Sequence, residues 1–249
     1  MEVIYGINPL AEALRKEPCP LVRIHVARGV DSETLHAVLD LADAKKIPVS
    51  FREKRELDKL TGQGVHQGVV GFFPSFAYAE FNQVMGNRHP SFSCHLMLLL
   101  DGITDPRNLG ALIRTAHCLG ANGVMIPERR SAAVTAVVIK ASAGTALLTP
   151  LVRIANLSRA MDDLKEQGFW IYGADAHEGR AMGEMTYEGH VALVMGAEGR
   201  GIRPLIRKKC DFLLSIPMFG KVDSLNVSVA AGILLNDIVR RRAHAEGVE

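Results

Sequence analysis

Three short stretches hold most of the side chains able to do chemistry. DGITDPRNLGALIRTA, Asp101 to Ala116, carries Asn108 and Arg114. Arg114 sits in a mostly apolar run two turns along a predicted helix. A guanidinium held in apolar surroundings needs an anion or carbonyls, because leaving it without a partner is costly. GAEGRGI, Gly196 to Ile202, sets three glycines around Glu198. Glycine permits positive φ and lets backbone approach a ligand closely. SLNVS, Ser224 to Ser228, offers the hydroxyls of Ser224 and Ser228 and the amide of Asn226. Taken singly, each stretch has a plainer explanation. Asp105 and Asn108 can cap a helix that has Pro106 in its first turn, Glu198 can cap a helix from Arg203, and Asn226 can cap the last helix.

The elements around these stretches favour a common location for them. From Leu96 onward, apolar runs alternate with helical patterns: LMLLL, GVMIP, LVRI, FWIYGA, VALVM and FLLSIP. Continuous apolar strands alternating with helices indicate a parallel sheet covered on both faces. Such sheets bind ligands at the carboxyl ends of their strands, and each of the three stretches follows a predicted strand. A small-residue helix is expected near Ala132 to Ala143. Residues 1–73 form a separate α/β alternation, with Asn8 as candidate N-cap ahead of Pro9, and residues 74–92 read as a linker with a short helix near Ala79 to Met85. The expected division is therefore a domain over 1–73, a linker over 74–92 and a second domain over 93–249.

Composition narrows the function class. The 249 residues are 48% hydrophobic and 22% charged, which supports a sizeable core. A net charge of +2 does not announce a nucleic-acid partner, although local basic patches remain compatible with one. Arg200, Arg203, Arg207, Lys208 and Lys209 flank the second stretch. Arg23, His25, Arg28, Arg52, Lys54 and Arg55 mark the first domain. The four cysteines lie far apart with no C-x-x-C pair, so no metal site is expected and a reducing cytoplasm suits them. No apolar leader is visible, and Ala132 to Leu148 is too short and polar to span a membrane. The glycine pattern is neither a Walker A loop nor G-x-G-x-x-G, which excludes a P-loop and argues against a nicotinamide dehydrogenase.

Together NLGALIRTA, MGAEGRGI and IPMFGKVDSLNVSVAAGILL, in this order and spacing, resemble the three signature motifs of the SpoU/TrmH branch of the SPOUT RNA ribose 2'-O-methyltransferases. YGINPLAEAL and GVHQGVVG are similar to the substrate-binding domain of that branch's 23S rRNA guanosine methyltransferases of the RlmB type. The resemblance implies an α/β fold whose C-terminal parallel-sheet domain carries a deep trefoil knot, preceded by a small RNA-binding α/β domain. It implies S-adenosylmethionine as cofactor, 23S rRNA as substrate, and a homodimer through the knot region without metal or membrane. By motif position it assigns Asn108, Arg114, Glu198, Ser224 and Asn226 to catalysis or the substrate site. It assigns Gly196, Ile216, Met218, Gly220, Leu225 and Asn226 to the cofactor. The alternatives are the same chemistry on tRNA and an RNA-binding assembly protein without catalysis.

Overall fold

The computed structural model describes residues 1–86, 90–176 and 178–247. The chain forms two compact units. The first comprises Met1–Ala77 together with Val134–Leu148, and the second comprises Tyr78–Ala133 with Thr149–Glu249.

In the first unit, β1 (Glu2–Tyr5), β2 (Arg23–Ala27), β3 (Val49–Arg52) and β4 (Val69–Phe73) form a sheet in the order β1-β4-β2-β3. β4 runs antiparallel to both neighbours, and β2 and β3 are parallel. The helices of its first stretch are α1 (Ile7–Arg15), α2 (Glu33–Ala44) and α3 (Lys54–Leu60). Ser32 caps α2 by accepting from Leu35 N–H, as its residue type favours. Asn8 is not the cap expected of it: α1 already begins at Ile7, and Gly6, at φ 96°, precedes it.

The second unit starts with α4 (Phe81–Gly86), close to the short helix expected at 79–85. Ala79 N–H bonds the carbonyl of Leu151, so this part of the expected linker is fastened to a strand. Residues 87–89 of that linker lie outside the described residues. β5 (Leu96–Asp101), α5 (Pro106–Cys118) and β6 (Gly123–Pro127) follow. Then comes α6 (Ala136–Ala141), which packs with the first unit rather than continuing the second. Its Val138 and Ile139 are buried, Lys140 Nζ donates to Gln67 Oε1 at 2.7 Å, and Lys16 Nζ donates to the carbonyl of Leu147. A side chain at Gly144 would meet Pro9 Cα at 3.0 Å. Small residues here permit close packing on α1. Spacing along the chain cannot show which sheet such a helix joins.

The remaining elements are β7 (Leu151–Ile154), α7 (Leu157–Glu166), β8 (Phe169–Ala174), β9 (Arg180–Ala181), β10 (His190–Gly196), α8 (Pro204–Lys209), β11 (Phe212–Ser215) and α9 (Val227–Glu246). The seven strands order as β7-β6-β5-β10-β8-β11-β9, with every pairing parallel. All six residues of β5 are buried, as its unbroken apolar run requires of a central parallel strand. α5 presents Leu109, Leu112, Ile113 and Ala116 at helical spacing, all buried. Each buried leucine or isoleucine of this kind contributes about 2 kcal/mol. Met97, Leu99, Met125, Leu164, Phe169 and Val194 belong to one core cluster.

Cys210 is packed against this core, and its thiol bonds the carbonyl of Ile206 at 3.4 Å. Burial, then the neighbouring Asp211 charge, pushes its pKa up to about 12. Almost no thiolate therefore forms there at pH 8, whereas Cys118 is exposed. Iodoacetamide at pH 8 is expected to alkylate Cys118 in the native protein and to reach Cys210 only after unfolding. Peptide mapping by mass spectrometry checks this.

Candidate active site

The strand order reverses between β5 and β10: β6 and β7 lie on one side, β8 and β11 on the other. A crevice at the carboxyl ends of the strands is expected at such a switch point. A cavity of about 730 Å³ opens beside it, at the carboxyl ends of β8, β10 and β11, within the usual range for small-molecule sites. The carboxyl ends of β8 and β10 contribute Asp175 and Gly196, and the start of α9 contributes Val227 and Ala230. The 216–226 segment contributes Ile216, Met218, Asp223, Ser224, Leu225 and Asn226.

The three motif loops meet at Asn226. Its Nδ2 donates to Asn108 Oδ1 at 3.1 Å and to Glu198 Oε1, while its Oδ1 accepts from Ser228 N–H at 3.0 Å and Ser228 Oγ at 2.6 Å. Val227 N–H also reaches Glu198 Oε1, at 3.5 Å. Helix capping and the meeting of the three loops therefore use the same amide. Glu198 does not cap the helix from Arg203: the chain from Gly196 doubles back, with Ala197 and Gly201 exchanging backbone hydrogen bonds at 3.1 and 2.8 Å. That turn directs Glu198 toward α9. Gly199 and Gly201, at φ 72° and 63°, supply its left-handed residues.

Replacing Asn226 with Ala removes a cap and the bridge together. The expected loss is about 1 kcal/mol of unfolding free energy from the cap, read from urea midpoints. Asn226→Asp retains the acceptor that caps α9 but loses the donor to Asn108 and Glu198. It also sets a second carboxylate against Glu198, so it is expected to recover only part of the cap's stability, and to recover more at a pH where one of the two acids is protonated.

Asn108 and Arg114 do not line the cavity, nor does Gly220. Asp105, rather than Asn108, caps α5, accepting from Arg107 N–H at 2.7 Å. Arg114 is exposed on α5, not held in the apolar surroundings its neighbours led one to expect. Among the described residues it makes no hydrogen bond or ion pair. Its side chain leaves the helix surface because the buried stripe of α5 runs through Leu109, Leu112, Ile113 and Ala116. Glu198 consequently pairs with Asn226 and not with Arg114.

Two carboxylates escaped the motif reading. Asp101 ends β5 and is buried; its Oδ2 accepts from Arg203 N–H at 2.8 Å and its Oδ1 from Arg203 Nε at 2.6 Å. Asp175 lines the cavity after β8 and accepts from Arg207 Nε at 2.8 Å. Hydrogen bonds to Asp175 and then Glu178 raise the Arg207 pKa further above its ordinary value. The available signal was a lone acid closing an apolar strand, in LMLLLD and in FWIYGAD.

These pairs also thin the expected basic cluster. Arg203, Arg207 and Lys209 are matched by Asp101, by Asp175 with Glu178, and by Asp162. Arg200 and Lys208 make no such pair among the described residues. In the first unit, the Arg23 guanidinium lies 4.4 Å from the Phe72 ring centroid, and Arg28 reaches Glu53 at 3.8 Å. The His25 ring packs edge-on against Phe72; burial, then Arg52 and Arg23, lowers its pKa. It is therefore a neutral ring at pH 7, not one of the cations.

Comparison with known proteins agrees with this geometry. Residues 95–236 match the model of the SpoU rRNA methylase family, and residues 3–79 match an RNA 2'-O ribose methyltransferase substrate-binding domain. The chain is 40% identical over 98% of its length to the 23S rRNA (guanosine-2'-O-)-methyltransferase RlmB of Pseudomonas aeruginosa, covering 98% of that protein. It is 39% identical over 98% of its length to an uncharacterized tRNA/rRNA methyltransferase of Mycolicibacterium vanbaalenii, covering 78% of it. Among solved structures, the SpoU methyltransferase AviRb of Streptomyces viridochromogenes, in complex with AdoMet, superposes with a TM-score of 0.79 at 23% identity. That match covers 97% of this chain and 90% of that one. By family models that together span most of its length, by whole-length relatives and by fold, the chain belongs to the SpoU rRNA methylase family.

Proposed function

We propose that this protein methylates the 2'-hydroxyl of a ribose, a guanosine of 23S rRNA, using S-adenosylmethionine. The observation that carries the reading is the convergence of three separated loops on Asn226 beside a cavity of about 730 Å³. The RlmB relative, matched over nearly the whole of both chains, supports rRNA over tRNA as substrate.

The cavity suits the cofactor chemically. Ile216 and Leu225 offer backbone groups and apolar side chains for an adenine, and Met218 and Leu214 extend the apolar wall. Gly196 contributes backbone to its wall. Asp175, Ser224 and Asn226 supply polar partners for a ribose and an amino acid moiety. When bound, S-adenosylmethionine supplies an electrophilic methyl group on a sulfonium whose leaving group is neutral. The protein's main tasks are then to position the reactants and exclude water.

The attacking 2'-hydroxyl must lose a proton as its oxygen–methyl bond forms and the methyl–sulfur bond breaks. Arg114 stays protonated in ordinary protein settings and is a poor base. It instead binds the neighbouring phosphate and stabilises charge developing on the 2'-oxygen, and the proton passes to phosphate or water. Asn226 holds Asn108 and Glu198 in place around that oxygen, and Ser224 fixes the loop beside it.

The working form proposed is a homodimer in a reducing cytoplasm, with the C-terminal segment knotted as in the resemblance described above. Two features support pairing through this region. Met218, Phe219, Val222 and Val229 are exposed apolar residues around the start of α9, with Phe219 99% exposed. Arg114, which makes no ion pair or hydrogen bond among the described residues, stands on α5, the helix against which α9 packs.

The test is a methylation assay on purified 23S rRNA and tRNA with mapping of 2'-O-methyl positions, alongside calorimetry with S-adenosylmethionine. Methylation of a ribose in rRNA is expected. Transfer to tRNA alone would move the activity to the other substrate class, and absence of cofactor binding would leave an RNA-binding protein.

A further inference from the structure

We propose that a second cleft, next to the first, is a subsite for a phosphodiester of the RNA chain flanking the target ribose. The cleft has a volume of about 310 Å³ and lies at the carboxyl ends of β6 and β7. Arg129, Arg130 and Arg203 converge on it with Asn156, Ser158 and Leu205, and no carboxylate lines it. Arg129 and Arg130 are exposed and make no ion pair or side-chain hydrogen bond among the described residues. Arg203 is different: the buried Asp101 accepts from its backbone N–H through Oδ2 and from its guanidinium through Oδ1, so the guanidinium is held in a fixed orientation beside the cleft.

The remaining lining suits the same ligand. Asn156 Oδ1 accepts from Arg159 N–H at 3.2 Å, which leaves its amide N–H₂ and the hydroxyl of Ser158 as further donors. α7 starts here and adds the positive end of its dipole. Arg130 adopts φ 60°, a left-handed conformation that a branched or bulky residue seldom takes. Two guanidiniums without an ion pair among the described residues, a third oriented and neutralised by Asp101, an amide and a hydroxyl describe an oxyanion receptor with planar forks for phosphate oxygens. The stretch 201–207 is the partition between the two cavities. Gly201, Ile202 and Arg207 line the first, while Arg203, Leu205 and Ile206 line the second. A strand of RNA whose ribose enters the first would therefore cross the partition with its backbone over the arginines. Contacts of this kind position RNA without reading its sequence.

This inference rests on the RNA reading given above, and its test separates the two. The variant is Arg129→Gln with Arg130→Gln, which leaves the Asp101–Arg203 pair untouched. Binding to a 23S rRNA fragment is followed by anisotropy between about 50 and 200 mM salt. The dissociation constant is expected to rise about tenfold, and the slope of log affinity against log salt to fall by about two. The denaturation midpoint and calorimetric affinity for S-adenosylmethionine are expected to match wild type. Unchanged RNA affinity and salt slope, with cofactor binding intact, would overturn the subsite and leave the methyltransferase reading standing. Wild-type protein that binds RNA with the expected slope yet transfers no methyl group would overturn that reading, while the subsite would still be decided by the slope.

Discussion

Arg114→Ala is expected to lower kcat for methyl transfer by about 10²–10³-fold, the range seen when one preorganised donor to a developing oxyanion is removed. Affinity for S-adenosylmethionine should change by less than about twofold, because Arg114 does not line the cofactor cavity. The folded state should be equally unaffected, since the side chain is exposed and makes no hydrogen bond or ion pair among the described residues. Those conditions make it a sharp probe: a large kinetic effect without loss of stability or cofactor affinity, in a variant whose oligomeric state by light scattering matches wild type, comes from the RNA-bound state. Arg114→Lys retains the charge but loses the planar fork, so an intermediate rate is expected. Single-turnover kinetics at saturating RNA, with calorimetry, provide the check. A lysine variant as fast as wild type would show that fork geometry contributes nothing, and an alanine variant as fast would remove Arg114 from the chemistry.

Gly196→Ala is expected to be the most damaging single methyl group in the molecule. A Cβ there would lie 2.1 Å from the carbonyl carbon of Gly201, 2.3 Å from the nitrogen of Ile202 and 2.4 Å from the oxygen of Gly201. All three are backbone atoms of the turn that Ala197 and Gly201 close, and Ile202 is buried in the core beyond it. No rotamer change relieves such a contact, so the turn must open. A stability loss of about 3 kcal/mol or more is expected. Cofactor affinity should fall with it, because Glu198 loses the geometry that meets Asn226. Gly220→Ala serves as the control: nothing lies within 4 Å of its added carbon, and a change within about 0.5 kcal/mol is expected. Urea midpoints and calorimetry on both variants decide it. A Gly196→Ala protein with native stability and cofactor affinity would mean that the turn is far softer than its packing indicates.

The contrast between these two glycines marks where sequence reasoning reached and where it stopped. Gly196 was legible as a place for a ligand's close approach, and it lines the cavity; that the protein's own loop packs where its side chain would be was not legible. The alternation from Leu96 onward was enough to expect a parallel sheet and to place the three loops at its carboxyl edge. Strand order was out of reach, because β5 and β10, neighbours in the sheet, are separated in sequence by β6, β7, β8 and β9. Without that order, the pairing of Glu198 with Asn226 rather than with Arg114 could not be told. Arg114 was misjudged for a related reason. Its neighbours in sequence are buried, but helical geometry places it on the opposite side from their stripe. Asp101 and Asp175 escaped because a single acid at a strand end resembles a turn residue until an arginine from a distant segment closes on it. The basic runs were overcounted for the same reason, since three of the five cations near the second motif are matched by carboxylates remote in sequence.

The excursion of Val134–Leu148 into the first unit has a consequence for the order in which this protein can be made. A ribosome releases residues 1–77 well before α6 emerges. Until then, β1 lacks the helix that later packs on it, and α1 lacks the 144–147 segment that follows that helix. The nascent unit must wait, incompletely shielded, while β5, α5 and β6 are synthesised. A truncated fragment ending near residue 79, where the match to the substrate-binding family ends, would remain in that unfinished condition permanently. Maturation of the N-terminal half is thereby tied to translation through the middle of the chain.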